Sequence, residues 1–358
     1  MSVPVPVVWS DDCLRHDPAG EVWLGVREPG TELPARARVL RDALTAAGAP
    51  VTPALAHDDA VQRTVHDGAL IDYLAGAWEA WEAGGYRSEH GRDRVVPYVF
   101  PTEGMLAGLE LRDPPAAHGR AGRYCYDTMT LIGPGSWEAI RGAVDAALTA
   151  ADLVASGAVR LAYALCRPPG HHATRGAFGG SCYLNNAAVA AQALREAGAQ
   201  RVAIIDVDAH HGNGTQMIFY HRADVWYGSV HVDPGAGWFP HYAGHAGERG
   251  TGEGEGANRN LPLQPGAGDE QWLAAVDTLC REAAAHGADA VVISLGLDAA
   301  DADPESPLRV SAGAHADACR QIAGLGPAVL VQEGGYDLDA IGPSVVAAVC
   351  GAAEGAAG

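Results

Sequence analysis

Asp206, Asp208 and His210 recur at every second position in the run Asp206-Val207-Asp208-Ala209-His210-His211. Alternate side chains of an extended chain share a side, so all three project the same way where a strand ends. Two carboxylates and an imidazole are costly to bury there without a cation or strong polar partners. Mixed carboxylate and imidazole donors suit zinc, with iron and cobalt as alternatives. Asp298 closes a later apolar run and supplies a third donor beside Asp208 and His210. Three protein donors leave one position of a tetrahedral ion open, as a catalytic zinc requires. An isolated Asp-x-His would read more simply as a polar strand end capping a helix. The second acidic strand end and a nearby histidine pair make a metal site the better reading.

That pair, His171-His172, follows Arg167-Pro168-Pro169-Gly170. Prolines and a glycine fix a tight non-helical turn that can hold two neighbouring imidazoles rigidly. One histidine alone would more often be structural. Two in tandem beside a metal point to acid–base work.

Strands and helices must bring these residues together. Short apolar runs read as strands at 161–166, 201–207, 224–231, 289–296 and 327–333. Alanine-rich segments of helical period lie between them, over about 185–198, 269–286, 311–324 and 340–353. Earlier helices are expected near 35–47, 66–83 and 137–156, and the N-terminal segment reads as a first strand. Buried runs separated by helices specify an α/β fold, an open, mostly parallel sheet with helices on both faces. No repeat or linker divides the chain, so one domain is expected over 1–358. The stretch from about Gly84 to Gly122 has no period, and a loop that long is functional or an oligomer contact. The polar clusters all fall where apolar runs end: RPPGHH, DVDAHHGNG, LDAADADP and EGGY. Parallel sheets bind ligands outside their carboxyl ends, so these clusters should converge on one crevice.

Composition narrows the function classes. A chain of 358 residues, 48% hydrophobic and 19% charged, can bury a large core. The net charge of -20, with no lysine at all, disfavours a surface that tracks phosphates, so nucleic-acid binding is not expected. The same charge serves solubility and would favour encounter with a cationic substrate. No long apolar run suggests a membrane span, and the first residues do not read as a signal peptide. Seven cysteines without a Cys-x-x-Cys pair suggest neither a disulfide framework nor a thiolate metal site. A cytoplasmic location with reduced thiols is expected.

Taken together, RPPGHHA, GGSCYLNNAAVAA, DVDAHHGNGTQ, FPHYAG, SLGLDAADADP and QEGGYD resemble, in the same order, the motifs of the histone deacetylase superfamily. The nearest likeness is to the bacterial acetylpolyamine amidohydrolases. VVWSDD near the start and AWEAWEAGGY at 77–86 extend it over nearly the whole chain, with 87–123 the least similar part. The resemblance implies a zinc deacetylase acting on an N-acetylated amine, with a polyamine, a protein lysine and an N-acetylated natural-product intermediate all open as substrate. It implies Asp208, His210 and Asp298 as zinc ligands, Tyr336 as the electrophilic hydroxyl, and His171 and His172 as the catalytic pair. Asp206 should orient His171, and Asn213 should orient His172. A carboxylate partner favours imidazolium and a neutral amide does not, so His172 is the expected base. A potassium ion is implied near Asp206, Asp208, His210, Ser229 and Val230.

The family's narrow tunnel places one wall at Phe239, beside Trp238. The opposite wall, beside Gly180, normally carries Phe or Tyr where this chain has Ser181. A missing ring predicts a wider channel for a bulkier or more polar amine. Asp127 is the candidate acidic residue for the rim, whereas Glu103, Glu110 and Asp113 lie in the right region but read more simply as solvated loop charge. Met129 stands where polyamine-selective relatives carry a carboxylate. By the same resemblance, residues 84–122 should narrow the tunnel across a homodimer. A two-metal, arginase-like hydrolase is the rival enzyme class. Its second aspartate is missing from Asp208-Ala209-His210-His211-Gly212, and Ser294-Leu295-Gly296-Leu297-Asp298 lacks the paired aspartates. A catalytically idle binder would not need every chemical residue present.

Overall fold

Runs rich in valine, isoleucine and leucine are driven out of water, and in the computed structural model they fill the middle of a parallel sheet. The structure describes residues 3–86 and 91–358. In chain order the strands are β1 (Val7–Trp9), β2 (Glu21–Trp23), β3 (Val26–Glu28), β4 (Val51–Pro53), β5 (Leu161–Ala164), β6 (Val202–Asp206), β7 (Val225–Val232), β8 (Asn258–Leu263), β9 (Ala290–Leu295) and β10 (Ala328–Gln332). Eight of them form one parallel sheet in the order β4-β1-β5-β10-β9-β6-β7-β8. Every residue of β5, β6, β7, β9 and β10 is buried, as a sheet covered on both faces demands.

The register aligns the ends that matter. Asp206 pairs with Ser294 of β9 on one side and Ser229 of β7 on the other. Leu295 pairs with Gln332 of β10. The polar segments that follow β6, β9 and β10 therefore leave the sheet at one level.

Helices cover both faces in two packed groups. One is Ser136–Ala155 with Asn186–Glu196; the other is Asp269–His286, Ala312–Ala323 and Ile341–Ala357 with Pro34–Ala46. Small residues set the spacing. A side chain at Gly351 would strike the Ala316 carbonyl, so the last two helices approach as only glycine permits. One hydrophobic core runs from Val3 to Ala352.

The structure departs from expectation in identifiable places. Among its described residues, the segment 84–122 carries the short helix Glu103–Leu106 and most of a second, Ala117–Tyr124, and Val95 bridges to Ile132. Its residues 87–90 lie outside the described residues. The expected helix at 66–83 begins at Gly68 and is preceded by a separate turn of helix, Ala60–Val65. The hairpin β2–β3 turns on Leu24 and Gly25, both at positive φ, the geometry that matches strand twist. All seven cysteines are free thiols. Among the described residues no helix is long and apolar enough to cross a membrane.

Candidate active site

Asp208 and His210 follow β6, and Asp298 follows β9. Their ligand atoms all lie within 4.8 Å of one another. His210 Nδ1 is 3.0 Å from Asp298 Oδ2 and 3.5 Å from Asp208 Oδ1. Backbone amides fix the carboxylates: Asp208 accepts from His210 N at 2.9 Å and Gly334 N at 2.8 Å, and Asp298 accepts from Ala209 N at 2.9 Å. A side chain at Gly334 would lie 2.6 Å from Asp298 Oδ2 and 2.7 Å from Asp208 Oδ2, so the glycine is required.

Charge in this cluster calls for a cation. Burial, with Asp208 beside it, pushes the Asp298 carboxyl up to about 7. Burial opposes ionisation of Asp208 as well, yet His171 and His210 hold its carboxyl well below the usual range. Buried carboxylates crowded on one imidazole fit a divalent ion of the zinc type. The site offers the donors for one such ion. A second buried group, His171, Cys182 and Glu333, has similar spacing. There the Glu333 oxygens are already occupied. Oε2 accepts from Gly170 N at 2.7 Å and His171 N at 3.1 Å, and Oε1 accepts from Ser294 Oγ at 2.9 Å. Glu333 ties the histidine turn to the sheet, a role for which only its place before Gly334-Gly335 gave any sign.

The histidines have different partners. His171 Nδ1 is 3.1 Å from Asp206 Oδ2, which also accepts from the Tyr227 hydroxyl at 3.0 Å. His172 Nδ1 is 2.8 Å from Asn213 Oδ1, an acceptor, which places the proton on Nδ1 and leaves Nε2 to accept. Asn213 opens the helix Asn213–Phe219, docked against the histidine turn through Thr215 N to the His171 carbonyl at 3.1 Å. The ring centroids are 4.0 Å apart. Burial opposes a charge on His171, but Asp208 and Asp206 outweigh it and raise the ring to about 10. Burial, reinforced by His171 and His210, pushes His172 well below the ordinary histidine range.

Tyr336, in the loop after β10, lines the same cavity of about 440 Å³ as His172 and His210. Burial raises its phenol well above the ordinary value, against the opposing effect of Arg36, so the hydroxyl keeps its proton at neutral pH. The Arg36 guanidinium lies 4.5 Å from the Tyr336 ring centroid.

Phe239 forms one wall, edge-on to His172 at 4.7 Å, with Trp238 beside it. Ser181 and Gly180 form the opposite wall, both at positive φ. A side chain at Gly180 would press on His172 and Phe239. Ser181 N donates to Thr130 Oγ1 at 2.9 Å, and its small side chain leaves that wall without a ring.

The acidic candidates fall in different places. Asp127 borders the apolar groove beyond Phe239 and not the cavity that Tyr336 lines. Its Oδ1 accepts from Met129 N and Thr130 N at 3.0 and 2.9 Å, and its Oδ2 from Gly180 N at 2.6 Å, so it shapes the loop that carries the wall. Glu103, Glu110 and Asp113 do not line the cavity, and Asp113 pairs with Arg123 at 2.6 Å. The acidic rim is made instead by Glu21, Glu28 and Glu305, from the β2–β3 hairpin and the loop after β9. Burial, with Glu305 and Glu28 nearby, pushes Glu21 up to about 7. Ser229 faces Asp206 in register, its hydroxyl lies 2.8 Å from His231 Nδ1, and Val230 is fully buried. Beyond Phe239 the cavity meets an apolar groove of about 590 Å³, whose walls include Leu24, Phe100, Met217 and Tyr242.

Comparison with known proteins identifies the family. Residues 31–352 match the Histone deacetylase domain family. The chain is 42% identical over 353 residues to Acetylpolyamine amidohydrolase 1 of Pseudomonas aeruginosa, covering 98% of this chain and 99% of the relative. It is 40% identical over 350 residues to Acetylpolyamine amidohydrolase of Mycoplana ramosa, covering 97% and 99%. The fold is similar to the crystal structure of an acetylpolyamine aminohydrolase from Burkholderia pseudomallei, with a TM-score of 0.89 and 36% identity over 97% of this chain and 98% of that one.

Proposed function

The chain belongs to the histone deacetylase family, and from that premise we propose that it is a zinc-dependent amidohydrolase releasing acetate from a small N-acetylated amine with a second cationic group. One observation carries the reading. The ligand atoms of Asp208, His210 and Asp298 lie within 4.8 Å of one another, the His171 and His172 rings pack 4.0 Å apart, and His172, His210 and Tyr336 line one cavity.

Asp208, His210 and Asp298 would hold the zinc ion, which supplies Lewis acidity toward the acetamide oxygen and a more acidic water. His172 Nε2 takes a proton from the attacking water, with Asn213 holding the tautomer that leaves this nitrogen free. The Tyr336 hydroxyl donates to the carbonyl oxygen as negative charge grows there. His172 then passes its proton to the leaving nitrogen, so the amine departs neutral. His171, charged against Asp206, stabilises negative charge in the same cavity without itself giving up a proton.

Glu21, Glu28 and Glu305 would attract an ammonium at the far end of the substrate, and among the described residues no arginine lines the cavity to compete with it. Ser181 widens the approach, so the amine need not be slim. The chain would act as one domain and as a homodimer, with the exposed Tyr98, Met105, Leu109 and Leu111 of segment 84–122 as the apolar contact. By the family resemblance potassium would bind near Asp206, Asp208, His210, Ser229 and Val230, and the seven free cysteines would suit a reducing, cytoplasmic location.

The test is a panel of zinc-loaded turnover assays. It compares N-acetylputrescine, branched and aromatic N-acetyl amines carrying an ammonium, their neutral analogues, and an acetyl-lysine peptide. Cationic amines, bulky ones included, should lead. A preference for neutral amines or for the peptide overturns the substrate assignment, and no hydrolysis of any overturns the activity.

A further inference from the structure

The carboxylate of Asp303 belongs to neither the donor set nor the histidine pair, yet it is buried directly behind the phenol loop. Oδ2 accepts from Tyr336 N at 2.6 Å and Asp337 N at 3.1 Å. Oδ1 accepts from Glu305 N at 3.0 Å. The Glu305 side chain accepts in turn from Thr31 Oγ1 at 2.8 Å, which joins the loop to the segment after the β2–β3 hairpin. One side chain therefore holds the backbone of the phenol and the backbone of a rim carboxylate. Both of its oxygens are used on amides of two different loops.

Side-chain packing alone does not fix the phenol so firmly. Arg36 lies 4.5 Å from the Tyr336 ring centroid and donates to the Glu333 carbonyl at 2.7 Å and to the Gly335 carbonyl, which ties down the loop's carbonyls and leaves the Tyr336 and Asp337 amides to another partner. Gly335, at φ +118°, precedes Tyr336 and gives that backbone a conformation few other residues adopt. Charge-assisted hydrogen bonds from those two successive amides to one carboxylate hold them in place.

We propose that Asp303 is a positioning residue for the reaction, setting the Tyr336 hydroxyl over the reacting carbonyl and fixing Glu305 at the rim through the same carboxylate. It rests on the role assigned to Tyr336 above. Asp303 touches neither substrate nor metal donors and acts only through the two backbones it holds.

A double-mutant cycle tests this, using Asp303→Ala, Tyr336→Phe and the pair, each assayed with N-acetylputrescine and analysed for bound zinc. Asp303→Ala should keep one zinc per chain and lose about 100-fold in kcat, as a displaced catalytic group does. In the Tyr336→Phe background the same change should matter by no more than about twofold, because the group it positions is gone. Asp303→Asn keeps one acceptor oxygen and should fall between wild type and alanine; it replaces alanine in the cycle if that variant does not fold. Equal losses in both backgrounds, full activity of Asp303→Ala, or loss of its zinc would each overturn the inference. Wild-type turnover by Tyr336→Phe would instead remove Tyr336 from the mechanism, a separate and distinguishable failure.

Discussion

Asn213→Asp replaces a neutral amide with a carboxylate of nearly the same shape, at an atom 2.8 Å from His172 Nδ1. In the native protein, burial with His171 and His210 nearby keeps the His172 ring neutral at pH 7. The adjacent ring shows what carboxylates do in the same surroundings: His171, facing Asp208 and bonded to Asp206, is raised to about 10 despite burial. Charges about 4 Å apart at an effective dielectric of about 20 attract by about 4 kcal/mol. Desolvating the added carboxylate offsets about half of that. The remaining 2 kcal/mol or so tightens proton binding at His172 by about 30-fold. A base works only while unprotonated, so kcat/KM rises with pH as His172 loses its proton. A tighter-held proton moves that rise to higher pH. Profiles of kcat/KM against pH for wild type, Asn213→Asp and Asn213→Ala measure the effect. The alanine variant should lose rate without the displacement seen for aspartate. An aspartate profile that overlays wild type, or moves to lower pH, refutes His172 as the base.

Gly334→Ala places a methyl 2.6 Å from Asp298 Oδ2 and 2.7 Å from Asp208 Oδ2, so zinc affinity should fall by about 10- to 100-fold. Competition with a chelating dye reads this directly, and unchanged affinity contradicts the donor assignment. Glu305→Gln removes one rim charge and should raise KM for N-acetylputrescine by about fivefold, or about 1 kcal/mol, leaving a neutral N-acetyl amine unaffected. Equal effects on both substrates would show that Glu305 does not read charge. Ser181→Phe restores a ring opposite Phe239 and should favour linear over branched amines by about 1 kcal/mol, measured as the ratio of their kcat/KM values. An unchanged ratio means the channel width is set elsewhere.

The buried strands were legible because a strand covered on both faces has no polar side to interrupt it: Val202–Asp206 and Ala290–Leu295 are nearly unbroken apolar runs. Their polar ends marked the site, since charge at the end of such a run needs a reason. β8 escaped notice because it lies at the sheet edge and reads Asn-Arg-Asn-Leu-Pro-Leu. Its Asn258 and Asn260 are buried to donate to Gln216 and Glu248, a network visible only after folding. The rim was hidden for a related reason. Glu305 meets Thr31 across 274 residues, and Glu333 meets Gly170 across 163, separations that no local pattern encodes. Asp127 shows how little a loop position says, because an acidic residue there looks the same whether it faces a ligand or collects backbone amides. Position in the chain pointed to the right loop, and only the hydrogen bonds revealed the task.

The account stands on a single divalent ion among Asp208, His210 and Asp298. Anomalous diffraction at the zinc edge from crystals of the zinc-loaded protein, with elemental analysis of the same sample, tests it most directly. One peak should lie between those three side chains, at one zinc per chain, with Asp298→Ala losing both the peak and the activity. An ion bound elsewhere, two ions in the cavity, or full activity in protein stripped of metal would contradict it.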